Sequence, residues 1–134
     1  MSDAFPVTIF HNPACGTSRN VVAMVEAAGY RPEVVYYLEA GWTPDQLGAL
    51  FADGGMTPRE ALRDKGTPAA ALGLLEPGTS DAALLAAMVE HPVLVNRPLV
   101  RTPKGVAMCR PSEKVLDLLE RKPEGFVKED GQGV

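Results

Sequence analysis

Val7-Thr8-Ile9-Phe10-His11-Asn12-Pro13-Ala14-Cys15-Gly16-Thr17-Ser18-Arg19-Asn20-Val21-Val22-Ala23-Met24-Val25-Glu26-Ala27-Ala28 is the stretch that decides the fold of this chain. Val7 to Phe10 is short, apolar and partly β-branched, and reads as a buried strand. Ser18 to Ala28 reads as a helix, ended by Gly29. Cys15 therefore lies on a strand-to-helix turn, at or just before the helix N-terminus. Backbone N–H groups at such a place lack intrahelical partners, and the helix dipole is positive there. A thiol in that setting is biased toward thiolate. The same N–H groups attract anions. One segment thus offers a nucleophile and an anion cradle together, which points to thiol chemistry on an oxyanion.

Working outward, Glu33 to Tyr37 is β-branched and aromatic and reads as a second strand. Strand, helix and strand of these lengths make a βαβ unit with a right-handed crossover. The middle differs. Thr43-Pro44 opens a helix through Phe51, with threonine as N-cap and proline at the first helical position. Thr57-Pro58-Arg59-Glu60 repeats the signal as a capping box. Ser80-Asp81 leads a third helix through Val89. Gly54-Gly55, Gly66-Thr67-Pro68 and Pro77-Gly78 separate the pieces. Residues 43–91 are accordingly read as an all-helical insertion.

Strands then return at Pro98 to Thr102 and Val106 to Cys109, joined by Pro103-Lys104-Gly105 as an antiparallel hairpin. Ser112 to Leu119 is a last helix with Ser112 as its cap. From Arg121 the chain is charged and Gly-rich, which predicts a mobile tail over about 121–134. The order βαβ then ββα is that of the thioredoxin-like α/β fold, a mixed four-stranded sheet within one domain spanning 1–134. In that fold the strand facing the active thiol begins with a cis-proline, so the Arg97–Pro98 bond is expected to be cis.

The 134 residues are enough for one real core. The 46% hydrophobic and 22% charged fractions are ordinary for a globular protein. No apolar run approaches the roughly 18–20 residues that span a bilayer. Met1 to Phe5 shows no basic segment leading an apolar one, so the expectation is a cytoplasmic protein with no membrane partner. The net charge of −4 counts against nucleic-acid binding by bulk charge. Two histidines and two distant cysteines, with no zinc spacing between them, predict no metal site. In a reducing compartment Cys15 and Cys109 are expected free.

Cys15-Gly16-Thr17-Ser18 is a Cys-x-x-Ser. It lacks the second thiol of a redox pair, so a reducing thiol must come from elsewhere. It is not the Cys-x5-Arg loop of phosphatases either, because Arg19 follows too soon. The plain alternative for Cys15 is a small buried residue. His11, as imidazolium, would stabilise a thiolate; otherwise it is a strand-end histidine bonded to backbone. Ser18 is placed to bond the sulfur, to cap the helix, or both. Arg63, Arg97 and Arg110 can each grip an oxyanion with two parallel hydrogen bonds. Spacing alone does not bring them together, and a single arginine is commonly a solvated surface charge.

The chain resembles the glutaredoxin-coupled arsenate reductases. The matching pieces are His-Asn-Pro-Ala-Cys-Gly-Thr-Ser-Arg-Asn at 11–20, Tyr-Leu-Glu at 37–39, Ala-Leu-Arg at 61–63, His-Pro at 91–92, Asn-Arg-Pro at 96–98 and Cys-Arg-Pro-Ser-Glu at 109–113. The resemblance implies that Cys15 attacks arsenic and displaces an oxygen as water. It implies that Arg63, Arg97 and Arg110 hold the oxyanion and the intermediate, and that His11 favours the thiolate. Glutathione as co-substrate and glutaredoxin as partner would supply the thiols, with no bound cofactor. Cys109 matches a family cysteine and is read as a buried strand residue with no essential role. The chain departs from the pattern in Lys65-Gly66-Thr67-Pro68 and Ala69-Ala70-Ala71-Leu72-Gly73, which bears on how Arg63 is presented.

Three other readings compete. A relative of the same fold without arsenate activity often loses Cys-Arg-Pro-Ser-Glu, which is intact here. A redox regulator that binds RNA polymerase usually carries Cys-x-x-Cys, which Ser18 replaces. A phosphoryl-transfer enzyme would need the longer cysteine–arginine loop.

Overall fold

The computed structural model describes residues 5–129 and 131, and its contacts divide the chain into two compact units. The first comprises the described residues up to Tyr36 together with those from Arg97 onward; the second is Tyr37–Asn96.

The first unit contains strands β1 (Thr8–His11), β2 (Glu33–Tyr36), β3 (Leu99–Thr102) and β4 (Gly105–Met108) in one sheet of order β2-β1-β3-β4. β1 runs parallel to β2 and antiparallel to β3, and β3 to β4 is an antiparallel hairpin. This is the mixed four-stranded, thioredoxin-like sheet that the sequence predicts. All four residues of β1 are buried, as suits a central strand. The Arg97–Pro98 bond leading into β3 is cis, as expected, and so is Arg110–Pro111, which the sequence did not announce.

Helix α1 (Gly16–Ala27) buries Ser18, Val21, Met24 and Val25, a stripe at helical spacing. Its end is a Schellman motif. Gly29 N–H donates to Glu26 O at 3.0 Å and Tyr30 N–H to Val25 O at 3.2 Å. Gly29 takes φ +94°, a value that glycine alone adopts without strain. Val7, Ile9 and Val100 from the sheet pack with Val21, Met24 and Val25 of α1, and with Val115 and Leu118 of a final 3-10 helix, Ser112–Leu118. This core fixes where α1 begins, and so where Cys15 sits.

The final helix corrects one expectation. It is 3-10 in geometry, and Ser112 is its first residue, not its cap. The β3–β4 hairpin takes the carbonyls at its end: Thr102 Oγ1 donates to Leu118 O at 2.8 Å and Lys104 Nζ to Leu119 O at 3.1 Å. The segment from Arg121, expected to be a mobile tail, makes contacts with the rest of the first unit as far as Glu129. Arg121 lies 4.2 Å from the Tyr30 ring centroid and donates to Ala28 O. Lys128 donates to Glu113, and Glu129 pairs with Arg19. Residues 130 and 132–134 of the expected tail lie outside the described residues.

The second unit is helical: α2 (Tyr37–Ala40), α3 (Pro44–Asp53), α4 (Pro58–Ala61), α5 (Asp81–Glu90) and a 3-10 turn, Pro92–Leu94. It extends beyond the segment 43–91 outlined by the caps, because Tyr37 leaves the strand for a helical turn. The Tyr37 ring stacks on Trp42 at 5.1 Å and its hydroxyl donates to Val95 O. The three N-caps are those read from the sequence. Thr43 accepts from Gln46 N–H, Ser80 from Ala83 N–H, and Thr57 and Glu60 close a full capping box. Among the described residues, no helix is long and apolar enough to cross a membrane.

Candidate active site

The site is built on the turn between β1 and α1. Asn12 shapes it: its side-chain oxygen accepts from Ala14 N–H at 2.9 Å and its carbonyl from Cys15 N–H at 3.0 Å. Such an Asx turn ends the strand and aims the chain into the helix. Cys15 is the N-cap residue of α1, with φ −101° and ψ 121°, and its carbonyl accepts the first helical bond from Arg19 N–H. No side chain caps this end. The thiol is buried, with 8% of the residue exposed.

Three groups converge on the sulfur. Arg110 Nη1 donates to Cys15 Sγ at 3.6 Å. The Arg97 side chain and the Ser18 backbone N–H also bond it. Burial pushes the thiol pKa up. The Arg97 hydrogen bond, the Ser18 amide, the Arg110 bond and the Arg97 charge together outweigh burial and lower it to about 7. The thiolate is therefore far better populated at neutral pH than for an ordinary cysteine. The two arginines are braced against each other, since Arg110 Nη1 also donates to Arg97 O at 2.9 Å. The first residue of the cis-proline pair and the residue after Cys109 are thus brought onto the cysteine turn.

His11 and Ser18 have roles different from those expected. His11 Nδ1 is hydrogen-bonded to Ser18 Oγ, which also accepts from Asn12 N–H at 3.1 Å. The His11 ring packs against Tyr36 at 5.6 Å. Burial, and secondarily the Arg19 charge, lower the His11 pKa below its ordinary value, so the ring is neutral at pH 7. Of the two readings of His11, the lowered pKa favours the uncharged one, and the positive charge beside the sulfur comes from arginine. Ser18 reaches the sulfur through its amide, while its hydroxyl locks the end of β1 to α1.

Arg63 lies in the second unit. Its N–H donates to Leu94 O at 2.7 Å, its Nε to Lys65 O at 3.2 Å and its Nη1 to Asn96 Oδ1 at 3.3 Å, while Thr67 Oγ1 donates to its carbonyl. Lys65 O, in the irregular Lys65–Pro68 segment, and Asn96 Oδ1 therefore hold this guanidinium, while Thr67 holds the backbone that carries it. Cys109 is fully buried, and burial pushes its thiol up to about 12. Both cysteines are free. Among the described residues, no group of three or more histidine, cysteine or acidic residues could hold a metal ion.

Sequence reasoning missed Arg19 and Glu129. In the sequence Arg19 serves only to exclude the phosphatase loop, and Glu129 lies in a segment that composition assigns to a tail. Two oppositely charged residues so far apart in sequence leave no local signal of their pairing.

The model of the ArsC family matches residues 10–118. The chain is 60% identical over 127 residues to "Arsenate reductase ArsI2" of Synechocystis, covering 94% of this chain and 91% of that one. It is 47% identical over 129 residues to an arsenate reductase of Escherichia coli, covering 96% and 92%. Among solved structures, the arsenate reductase from Vibrio cholerae superimposes with a TM-score of 0.81 at 38% identity, covering 86% of this chain and 98% of that one. The cysteine turn, the Arg-Pro strand entry and the segment after Cys109 all fall within the matched span, and the chain belongs to the ArsC family.

Proposed function

We propose that this protein is an arsenate reductase that uses Cys15 as nucleophile, with glutathione and glutaredoxin as the sources of reducing thiols in the cytoplasm. The observation that carries this reading is a buried thiol held by the Arg97 and Arg110 guanidinium groups and the Ser18 amide, which together lower it to about 7. A thiolate is the attacking form, and guanidinium forks suit a tetrahedral oxyanion.

The Cys15 thiolate attacks arsenic(V) and one arsenate oxygen leaves, protonated, as water. Arg97 and Arg110 release the sulfur as it bonds to arsenic, and their donors pass to the oxyanion. Glutathione adds its sulfur to the adduct as a second oxygen leaves. A glutaredoxin thiol then attacks the glutathione sulfur and forms a mixed disulfide. The electron pair of the broken sulfur–arsenic bond stays on arsenic, which becomes arsenic(III) and departs from Cys15 as arsenite when water returns to it. Two thiols are thereby oxidised to one disulfide for each arsenate reduced. Ser18 and His11 hold the turn in place. Pro98 sets the strand entry that carries Arg97. Arg63 is assigned to oxyanion binding on the resemblance of its Ala-Leu-Arg motif alone.

The test is arsenate-dependent NADPH oxidation with glutathione, glutathione reductase and glutaredoxin, beside a Cys15→Ser control. Turnover that needs arsenate, glutaredoxin and Cys15 is expected. A folded protein that oxidises no NADPH with either glutaredoxin or thioredoxin would overturn the reading, and would favour a relative of the same fold without this activity.

A further inference from the structure

We propose that Arg19 is a carboxylate-binding residue for the thiol co-substrate, and that Glu129 fills this place in the resting chain as an internal stand-in. The proposal rests on the glutathione reading above for the identity of that thiol.

The geometry is that of a bound carboxylate. Arg19 Nε donates to Glu129 Oε2 at 2.9 Å and Nη2 to Oε1 at 3.0 Å, two parallel bonds from one fork. The remaining arm of the guanidinium, Nη1, donates to Pro13 O at 2.8 Å and so ties the fork to the cysteine turn. The carboxylate rests over Gly16, the neighbour of Cys15: a Cβ placed on Gly16 would lie 3.5 Å from Glu129 Oε1. That spacing is ordinary van der Waals contact, so the carboxylate lies directly against the cysteine turn.

The strap that brings Glu129 has its own anchors. Lys128 Nζ donates to both oxygens of Glu113, at 3.0 and 3.3 Å, with its side chain only 9% exposed. Glu129 N–H donates to Asn20 Oδ1 at 3.0 Å. The Arg19–Glu129 pair itself is half in solvent, with side chains 45% and 50% exposed. Exposed pairs of this kind are weakly held. A small ligand with its own carboxylate can therefore exchange with Glu129 without unseating the buried Lys128 anchor. Glutathione carries a carboxylate at each end, and its sulfur must reach the arsenic bonded to Cys15. An acid group on Arg19 would lie where the Glu129 carboxylate does, against Gly16, the neighbour of Cys15.

The experiment is a titration of the reduced protein, in the presence of arsenate, with S-methylglutathione and with its diethyl ester, following the Gly16 backbone N–H resonance and the dissociation constant. Neither probe can react, so binding is read apart from turnover. Glu129→Gln should tighten the acid by about two- to fivefold, the range of one exposed charge pair, and Arg19→Ala should weaken it by a similar factor. Arg19→Lys, which keeps the charge and loses the fork, should fall between wild type and Arg19→Ala. The diester should be indifferent to all three changes. If acid and diester bind alike in wild type and in every variant, the proposal is overturned. A chain that binds the acid through Arg19 yet turns over only with another thiol keeps this site and refutes glutathione as the donor.

Discussion

Arg110 and Cys15 are 95 positions apart, yet Arg110 Nη1 donates to Cys15 Sγ at 3.6 Å. The contact joins the residue before a cis-proline to the N-cap of α1. It is the closing link of a chain of groups, since the same Nη1 also holds Arg97 O. Charge, sulfur and strand entry are positioned together, and a change at one is felt at the others.

The pH dependence of Cys15 reactivity follows from its lowered pKa. Alkylation by iodoacetamide should rise with pH through a midpoint near 7, where the thiol titrates. Arg97→Ala removes a cation that favours the thiolate, so its midpoint should move up toward the ordinary thiol range. Stopped-flow alkylation over pH 5–10 measures both.

His11 separates charge from architecture. Because its ring is neutral at pH 7, His11→Gln removes no positive charge from beside the sulfur. The alkylation midpoint should stay close to that of wild type, while the variant loses stability through the bond to Ser18 Oγ. The loss expected for one buried hydrogen bond is about 1–3 kcal/mol by urea denaturation. A midpoint shifted as far as that of Arg97→Ala would mean that His11 is an imidazolium after all.

Arg97→Lys tests the fork. A point charge keeps part of the attraction to the thiolate but cannot give two parallel bonds to an oxyanion. The kcat/KM for arsenate should fall by about a hundredfold, the usual cost of losing an oriented donor to a reacting oxyanion. Alkylation of Cys15 should fall much less. Equal losses in the two assays would place Arg97 with the sulfur only.

Cys109 carries no step of the proposed reaction. Cys109→Ala should leave turnover unchanged. It removes a fully buried side chain from the core shared by β1, α1 and the final 3-10 helix, and a cost of about 1–2 kcal/mol is expected in a denaturant titration.

The parts of this structure that were legible in the sequence are those with local causes. Thr43, Thr57 and Ser80 announce their helices because a cap and its partner lie within three residues. The turn carrying Cys15 is legible for the same reason. What escaped depends on groups distant in the chain. The last helix is 3-10 where its carbonyls meet Thr102 and Lys104. The charged segment after Leu119 is anchored because the Tyr30 hydroxyl accepts from Glu120 and Arg121 N–H. His11 is neutral because it is buried beside Arg19. Nothing in the local sequence of any of these residues encodes that outcome.

The burial of Cys109 has a consequence for the life of the protein under oxidative stress. A peroxide that reaches the Cys15 thiolate makes a sulfenic acid, and a thiol within the chain would normally trap it as a disulfide. The other cysteine here is fully buried, and burial pushes its thiol far above the ordinary range, so it offers no such rescue. Rescue must then come from the surrounding pool of small thiols, the same source on which the proposed reaction draws. When that pool is exhausted, Cys15 proceeds to the sulfinic acid, and the loss is permanent.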